Sequence, residues 1–410
     1  MNVTSLELRS EITSTGQLRL SLQEQDVAPP GPDEVVVRVE AAPINPADLA
    51  ELLGPADVAT LSSDGTAERP VTTATVPDRL VPLAAARAGK SLAVGLEGAG
   101  VVVDAGANAQ HLLGKVVSAG AGRMYTQYRK LQASDVVPFP EGVTPQQGAS
   151  AYVNPLTALG MLSTMRLEGH SALVHTAAAS NLGQMLNKLC IADGVEVVNV
   201  VRSAEQEGIL RAIGATYVVN SAKPDFREQL TTAMSQTGAT LAFDAVGGGP
   251  LGGQILAAME AVLVAKSPSR GPYGSPVHKQ LYIYGRLDRS ATTTPPSVGM
   301  AWGIGGWLLP YHLTRIGPEE TRRLRDRVAY EITTTFASAY TSEISPAEAL
   351  DPEVIRRYQR VATGEKYLLR PYSDLGPIRT DPADRGGGRT RGAQLPVRRA
   401  RTLARTSGRT

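Results

Sequence analysis

Cysteine is nearly absent from this chain: of 410 residues, Cys190 is the single example. One thiol excludes a disulfide scaffold and every zinc or iron–sulfur site built from several cysteines. No long hydrophobic run is present either. The most apolar stretch, residues 298–313, is interrupted by glycines and Pro310 and is too short to span a bilayer. The opening MNVTSLELRSEI lacks the basic-then-apolar order of a secretory leader. Glycine (41) and proline (28) are plentiful but follow no fixed period, which excludes collagen-like and simple repeat architectures. A soluble, cytoplasmic chain of two domains, three at most, is expected, with no membrane partner.

Net charge is small, +2 from 41 Lys+Arg against 39 Asp+Glu, but unevenly spread. Residues 377–410 carry nine arginines and two acids, so the remainder is net negative. That segment is rich in Gly, Pro, Thr and Arg and nearly free of large apolar side chains. It cannot offset its ordering entropy and is expected to be a disordered tail. A basic arm can touch nucleic acid or anionic lipid; we read this one as a solvated extension with no nucleic-acid partner.

The first third reads as β. Residues 18–22 alternate, Glu34 to Glu40 (EVVVRVE) follows a Pro-Gly turn, and 98–104, 114–119 and 136–138 continue the pattern. Residues 53–92, rich in Ala, Thr and Pro, form a stretch of unusual length and are expected to be a lid, an interface arm or a mobile insert. From Pro155 the texture becomes alternating strand and helix: strands at 173–175, 196–201, 217–220, 241–246 and 281–284, helices at 182–192, 204–213 and 226–235. Near-continuous apolar strands alternating with helices mean a parallel sheet covered on both faces. Residues 318–371 open with a charged helix and close on Tyr367-Leu368-Leu369, a strand expected to return to the first domain.

The most informative stretch is Leu173-Val174-His175-Thr176-Ala177-Ala178-Ala179-Ser180-Asn181-Leu182-Gly183-Gln184. A strand runs into a small-residue turn and then a helix, an arrangement that seats a pyrophosphate on backbone N–H groups. Only Gly183 survives of the usual glycines; Ala177, Ser180 and Asn181 occupy the other positions, and Asn tolerates left-handed backbone. At the end of EVVNVV, where an NAD site places an acid for the ribose, stand Arg202 and Ser203. A cation and a hydroxyl there suit a 2′-phosphate, which favours NADPH over NADH.

Four motifs, read together with this order of domains, resemble the medium-chain dehydrogenase/reductase superfamily over about residues 5–372. They are Ala41-Ala42-Pro43-Ile44-Asn45-Pro46-Ala47-Asp48-Leu49, Gly95-Leu96-Glu97-Gly98-Ala99-Gly100, the nucleotide turn, and Phe243-Asp244-Ala245-Val246-Gly247-Gly248. The resemblance implies an α/β chain: a GroES-like β-barrel catalytic domain over 1–153, completed by about 318–374, and a Rossmann doubly wound parallel-sheet domain over 154–317. Zinc alcohol dehydrogenases of that superfamily have Cys where Asp48 stands and His where Leu96 stands, so a zinc-free branch is implied, with no metal. Val153-Asn154-Pro155-Leu156-Thr157-Ala158 and Asn199-Val200-Val201-Arg202 are similar to the quinone-reductase and 2-enoyl-thioester-reductase branches.

Carried over on the same basis, the cofactor contacts are Asn154, Thr157, Ala179, Ser180, Asn181, Leu182 and Gly183. Arg202 and Ser203 take the 2′-phosphate, and Val246 and Gly247 lie nearby. Tyr284, Gly285, Arg286, Leu287, Ile304, Gly305 and Gly306 line the nicotinamide side, with Lys366 as a further contact. Arg286 replaces a usual glycine. Homodimers joined edge to edge near 299–309 are implied as well.

Without zinc, a plain ketone is poorly polarised, whereas an alkene conjugated to a carbonyl spreads the incoming charge to oxygen. Hydride transfer from NADPH to an enoyl thioester, enone or haloacrylate is therefore the leading expectation for the small-molecule substrate. The alternatives are an NADPH quinone reductase, including NADH oxidase-like behaviour, and a non-catalytic dinucleotide-binding protein. Asn45 is the first choice for a polar side chain in the cleft. The tyrosine proton donor that such enoyl reductases carry soon after that motif is missing, and Tyr125 is put in its place, with Tyr128, Tyr152 and Tyr273 as weaker candidates. His175 and Cys190 read as packing residues.

Overall fold

The computed structural model describes residues 3–267 and 271–372. The N-terminal half begins with three long strands, β1 (Val3–Ile12), β2 (Gln17–Val27) and β3 (Glu34–Ile44), then the short helix α1 (Asp48–Leu52). Next come β4 (Ser62–Gly65), β5 (Pro70–Thr75), the one-turn helix α2 (Val81–Ala84) and β6 (Ser91–Ala93). Four more strands, β7 (Gly98–Ala105), β8 (Val116–Ala119), β9 (Tyr128–Gln132) and β10 (Val136–Pro138), lead to α3 (Pro145–Gly148). Leu18, Leu20 and Leu22 of β2 point inward while Gln17 and Arg19 face solvent, the period-two alternation of a half-buried strand.

The stretch 53–92 is not a detached arm, contrary to the expectation above. β5 pairs antiparallel with β2 and β6 with β1, giving the sheet order β4-β5-β2-β1-β6. The Thr72 hydroxyl donates to the Leu350 carbonyl. Small residues conceal the strand: in PVTTAT only Thr72 and Ala74 are buried, so the alternation is written in Thr and Ala rather than in Val and Ile.

The second half is a six-stranded sheet. Its strands are β11 (Ala172–Thr176), β12 (Glu196–Val201), β13 (Tyr217–Asn220), β14 (Leu241–Asp244), β15 (Lys279–Ile283) and β16 (Trp302–Gly306). They lie in the order β13-β12-β11-β14-β15-β16, all parallel. The helices are α4 (Val153–Leu167), α5 (Asn181–Ala192), α6 (Ala204–Ala212), α7 (Phe226–Thr237) and α8 (Leu251–Lys266). Separate apolar clusters form on the two faces, one around Leu156, Leu186 and Phe243, the other around Val198, Leu230 and Ile255. Asn199, fully buried in β12, exchanges two amide bonds of 2.6 and 2.9 Å with Asn187 of α5, which satisfies both side chains inside the core.

The expected charged helix begins earlier than Pro318. α9 (Leu309–Glu331) carries a break at Gly317, where φ is 82°, because Pro318 cannot continue the ladder. After it come β17 (Ser342–Ile344), α10 (Pro352–Tyr358) and β18 (Tyr367–Leu369). β18 pairs antiparallel with β3, Tyr367 opposite Ile44, so the chain's last described strand returns to the first half. No helix among the described residues is long and apolar enough to cross a membrane. The tail 377–410 lies outside the described residues.

Candidate functional site

The turn between β11 and α5 is built tightly. Ala177 takes φ 50°, a left-handed conformation that costs an L-residue roughly 1–2 kcal/mol. Asn181, expected to use left-handed backbone, is instead the first residue of the helix. Ser180 caps that helix, its hydroxyl accepting from the Gly183 N–H at 3.2 Å. A Cβ on Gly183 would stand 2.1 Å from the Ala178 carbonyl oxygen. Gly183 is therefore required for close seating of helix on turn, the role of the third fingerprint glycine. Helix geometry leaves the N–H groups of Asn181 and Leu182 without intrahelical acceptors, a ready anion cradle. Asn181 Nδ2 donates to Ser338 Oγ at 3.1 Å.

At the end of β12 the Arg202 side chain is exposed, while its N–H donates to Gln206 Oε1 at 3.0 Å. Ser203 caps α6 by accepting from Gln206 N–H. Gln206 Nε2 reaches Thr363 Oγ1 at 2.9 Å, so the segment before β18 borders this corner.

Beyond β14 the chain turns on Asp244, which is why that strand stops two residues short of the expected Val246. Its carboxylate accepts from the Thr176 hydroxyl at 2.6 Å and from the N–H groups of Val246 and Gly247. Leu287 N–H donates to the Ala245 carbonyl, which brings Tyr284, Gly285, Arg286 and Leu287 against Val246 and Gly247. Arg286 and Leu287 are exposed there. Tyr284 stacks on His175, with a 2.8 Å bond between its hydroxyl and Nε2. On α4, Thr157 is buried with its hydroxyl on the Val153 carbonyl, and Asn154 is half-buried one turn earlier. Of the β16 trio, Ile304 packs on the core, Gly305 lies opposite Tyr282, and only Gly306 reaches the exposed strand end.

Burial holds His175 neutral, pushing it down to about 3. A folded value below the unfolded one means stability present above pH 6.5 and lost as pH falls from there toward 3. Asp48 acts in the opposite sense, raised by burial to about 7, so its contribution is lost as pH rises through that value. We predict that the melting-temperature gap between wild type and His175→Gln widens from pH 4 to pH 7; a constant gap contradicts the buried neutral imidazole.

A second cluster joins residues far apart in the chain. Glu97 is 1% exposed; its Oε1 accepts from Asn45 Nδ2, and its Oε2 from the N–H groups of Tyr152 and Val153 where α4 begins, each at 2.8 Å. Asp48, fully buried, accepts from Asn45 N–H at 2.8 Å and Leu96 N–H at 2.7 Å. Burial raises both carboxyls, and for Glu97 the Lys366 charge opposes the rise. The Lys366 stem is half-exposed, but its ammonium is buried without a hydrogen-bond partner, 5.6 Å from the Tyr340 ring. Asn45 Oδ1 is likewise buried and unpartnered.

Asn45 thus stands in the cluster. Tyr125 is a core side chain, 2% exposed, with its hydroxyl on the Pro43 carbonyl at 3.0 Å, and the proton it would donate is already engaged. Tyr152 packs its ring on Gly120, and Tyr273 lies exposed. Sequence reading did not single out Glu97, Asp48 and Tyr340 as members of this cluster. The first two sit inside motifs already singled out, but no local pattern announces that β18 brings Lys366 beside them. Among the described residues no three His, Cys, Asp or Glu side chains converge. Cys190 is buried, its thiol pushed up to about 12.

Comparison with known proteins adds four findings. A family model described as zinc-binding dehydrogenase matches residues 182–261. The synaptic vesicle membrane protein VAT-1 homolog of Rattus norvegicus is 28% identical over 242 residues, 57% of this chain and 52% of its own. The mitochondrial enoyl-[acyl-carrier-protein] reductase of Xenopus tropicalis is 27% identical over 221 residues, 51% of this chain and 55% of its own. The chain spans about half the length of the curated relatives it matches. Among solved structures, a candidate NADPH:quinone reductase from Mesorhizobium loti superposes with a TM-score of 0.66 at 25% identity, covering 90% of this chain and 98% of that one.

Proposed function

We propose that the chain is a medium-chain dehydrogenase/reductase, on the family match over residues 182–261 and its pairing of a β domain with a Rossmann sheet, and that it works as an NADPH-dependent reductase of conjugated carbonyl compounds. Enoyl thioesters, enones and haloacrylates form the substrate class. The observation that carries this reading is the strand–turn–helix whose Gly183 admits no side chain, followed one strand later by an exposed Arg202 at the start of α6.

Those residues fit the cofactor. The N–H groups at the start of α5 would hold the pyrophosphate, Arg202 the 2′-phosphate with Ser203 beside it, and the Val246–Gly247 and Tyr284–Leu287 loops the nicotinamide end, with Asn154 and Thr157 on α4 and Gly306 at the sheet's edge. When bound, NADPH supplies hydride. The chain's own part is to orient the acceptor carbon, exclude water and stabilise charge developing on the carbonyl oxygen.

Catalytic zinc does not fit. Where the zinc branch has Cys and His, this chain has Asp48, both of whose oxygens are taken by backbone N–H groups, and Leu96. We therefore propose a zinc-independent enzyme, and dialysis against a strong chelator is expected to leave turnover unchanged; activity lost and then restored by zinc would contradict it. Likeness to the Mesorhizobium protein, whose name carries quinone reduction, supports a second reading as a quinone reductase. Steady-state rates with a crotonyl thioester and a naphthoquinone separate the two. The free edge of β16 is the surface proposed for a homodimer.

The cofactor assignment is tested at Arg202. Arg202→Ala is expected to raise KM for NADPH by more than about tenfold, the worth of a charge-assisted phosphate contact, while sparing NADH. Equal effects on both nucleotides would refute it.

A further inference from the structure

The reading just proposed leaves the reaction without a proton donor, since no tyrosine follows the Asn45 motif and Tyr125 is committed to the core. The cluster at the end of β3 supplies a different group. β18 pairs with β3 with Tyr367 opposite Ile44 at the end of the ladder, and Lys366 and Asn45 are the next residues beyond that pair on the two strands. Each leaves one buried polar atom with no partner, an ammonium on one side and an amide oxygen on the other. A buried ammonium carries three donors and is costly to leave unsatisfied. Both residues answer to Glu97, Asn45 through a 2.8 Å bond and Lys366 through charge. Glu97 in turn is fastened to the start of α4, one residue before Asn154. An unpaired donor and an unpaired acceptor therefore gather around the carboxylate that holds the start of α4.

We propose that Lys366 is the catalytic acid of this reductase: its ammonium binds the carbonyl oxygen of the conjugated substrate and then protonates the α-carbon. Hydride supplied by NADPH adds its electron pair to the β-carbon, and the alkene π pair shifts toward oxygen as an enolate held by the ammonium. The Lys366 N–H bond then breaks with its pair retained on nitrogen while the α-carbon–hydrogen bond forms. NADPH is oxidised to NADP+, the alkene is reduced, and the neutral amine regains its proton from water. Asn45 is a positioning residue, its Nδ2 bond to Glu97 holding the carboxylate whose charge keeps the ammonium protonated.

Chemistry and surroundings agree with this role. Burial lowers the Lys366 ammonium to about 8, against the opposing charges of Glu97 and Asp48, and an acid with that value works near neutral pH. Tyr340, whose ring lies against it, is raised above the ordinary phenol value and takes no part in the proton change near pH 8.

The test uses the full chain with Lys366→Met, Lys366→Ala and Lys366→Arg, reading NADPH binding by calorimetry, turnover of an enone, and binding of p-nitrophenolate, an enolate mimic, to the NADP+-loaded protein. Lys366→Met is expected to turn over at least ~100-fold more slowly even at saturating NADPH, the loss that follows removal of a general acid. It is also expected to bind p-nitrophenolate at least about tenfold more weakly, as loss of a charged hydrogen bond requires. Added ethylamine restores turnover to Lys366→Ala. Lys366→Arg keeps the charge and the fold but stays slow and loses the alkaline limb of the pH profile, because a guanidinium does not release its proton. Lys366→Met with wild-type turnover overturns the proposal and leaves the reductase reading standing. So does a variant that loses NADPH affinity yet turns over normally at saturation. Wild type that binds no NADPH overturns both.

Discussion

Replacing Glu97 with leucine should destabilise the protein by about 3 kcal/mol, the penalty for leaving buried hydrogen-bond donors without their acceptor, and abolish turnover. Three donors lose their acceptor at once: Asn45 Nδ2 and the N–H groups of Tyr152 and Val153. The Lys366 ammonium loses its nearest counter-charge in the same step. Glu97→Gln is the informative contrast. One amide oxygen can serve both N–H groups of α4, and a half-turn of the Asn45 amide would offer its unpartnered Oδ1 to the new NH2. Glu97→Gln is therefore expected to melt within a few degrees of wild type while its turnover falls with the Lys366 charge. Chemical denaturation of the two variants side by side checks the account; equal stability losses would mean that the carboxylate charge, not hydrogen bonding, decides at this position.

The second large effect lies at Gly183. An alanine methyl there would sit 2.1 Å from the Ala178 carbonyl, with Ala178 C and Cα also inside 3 Å, all of it backbone that cannot swing aside. The start of α5 must then move, breaking the Ser180 cap. We expect Gly183→Ala to lose about 3 kcal/mol, the upper range for overpacking a closed site, and at least about tenfold in NADPH affinity, since the displaced N–H groups are the proposed cradle. Gly208, inside α6 with no atom near its would-be Cβ, is the control. Gly208→Ala should stabilise by about 0.5–1 kcal/mol through helix propensity alone. Opposite signs at two glycines, measured by thermal melts, would separate steric need from conformational cost.

These two sites also divide what could be read from the chain alone. The parallel sheet was legible because its strands are buried on both faces and read as unbroken apolar runs, and because Gly183 and Arg202 sit at fixed distances from strand ends. Local spacing carries that information. The insert 53–92 was not legible as sheet, since β5 alternates in Thr and Ala and β4 exposes every residue. Nor was the left-handed residue placed correctly: Asn181 has the propensity, but Ala177 bears the positive φ because Ser180 is needed for the cap. The Asp48–Glu97–Lys366 cluster is the hardest case. Its members come from three distant segments: the β3–β7 pairing brings Glu97 beside Asp48, and the β3–β18 pairing brings Lys366. A buried charge gives no sequence signal that distinguishes it from a solvated one.

The central claim is that this chain binds NADPH through the α5 turn and Arg202. Calorimetric titration of the purified protein with NADPH and NADH tests it most directly. The account predicts saturable binding of NADPH, weaker binding of NADH by at least about tenfold, and collapse of that preference in Arg202→Ala. Absence of heat with either nucleotide, or a preference unchanged by the substitution, would contradict it.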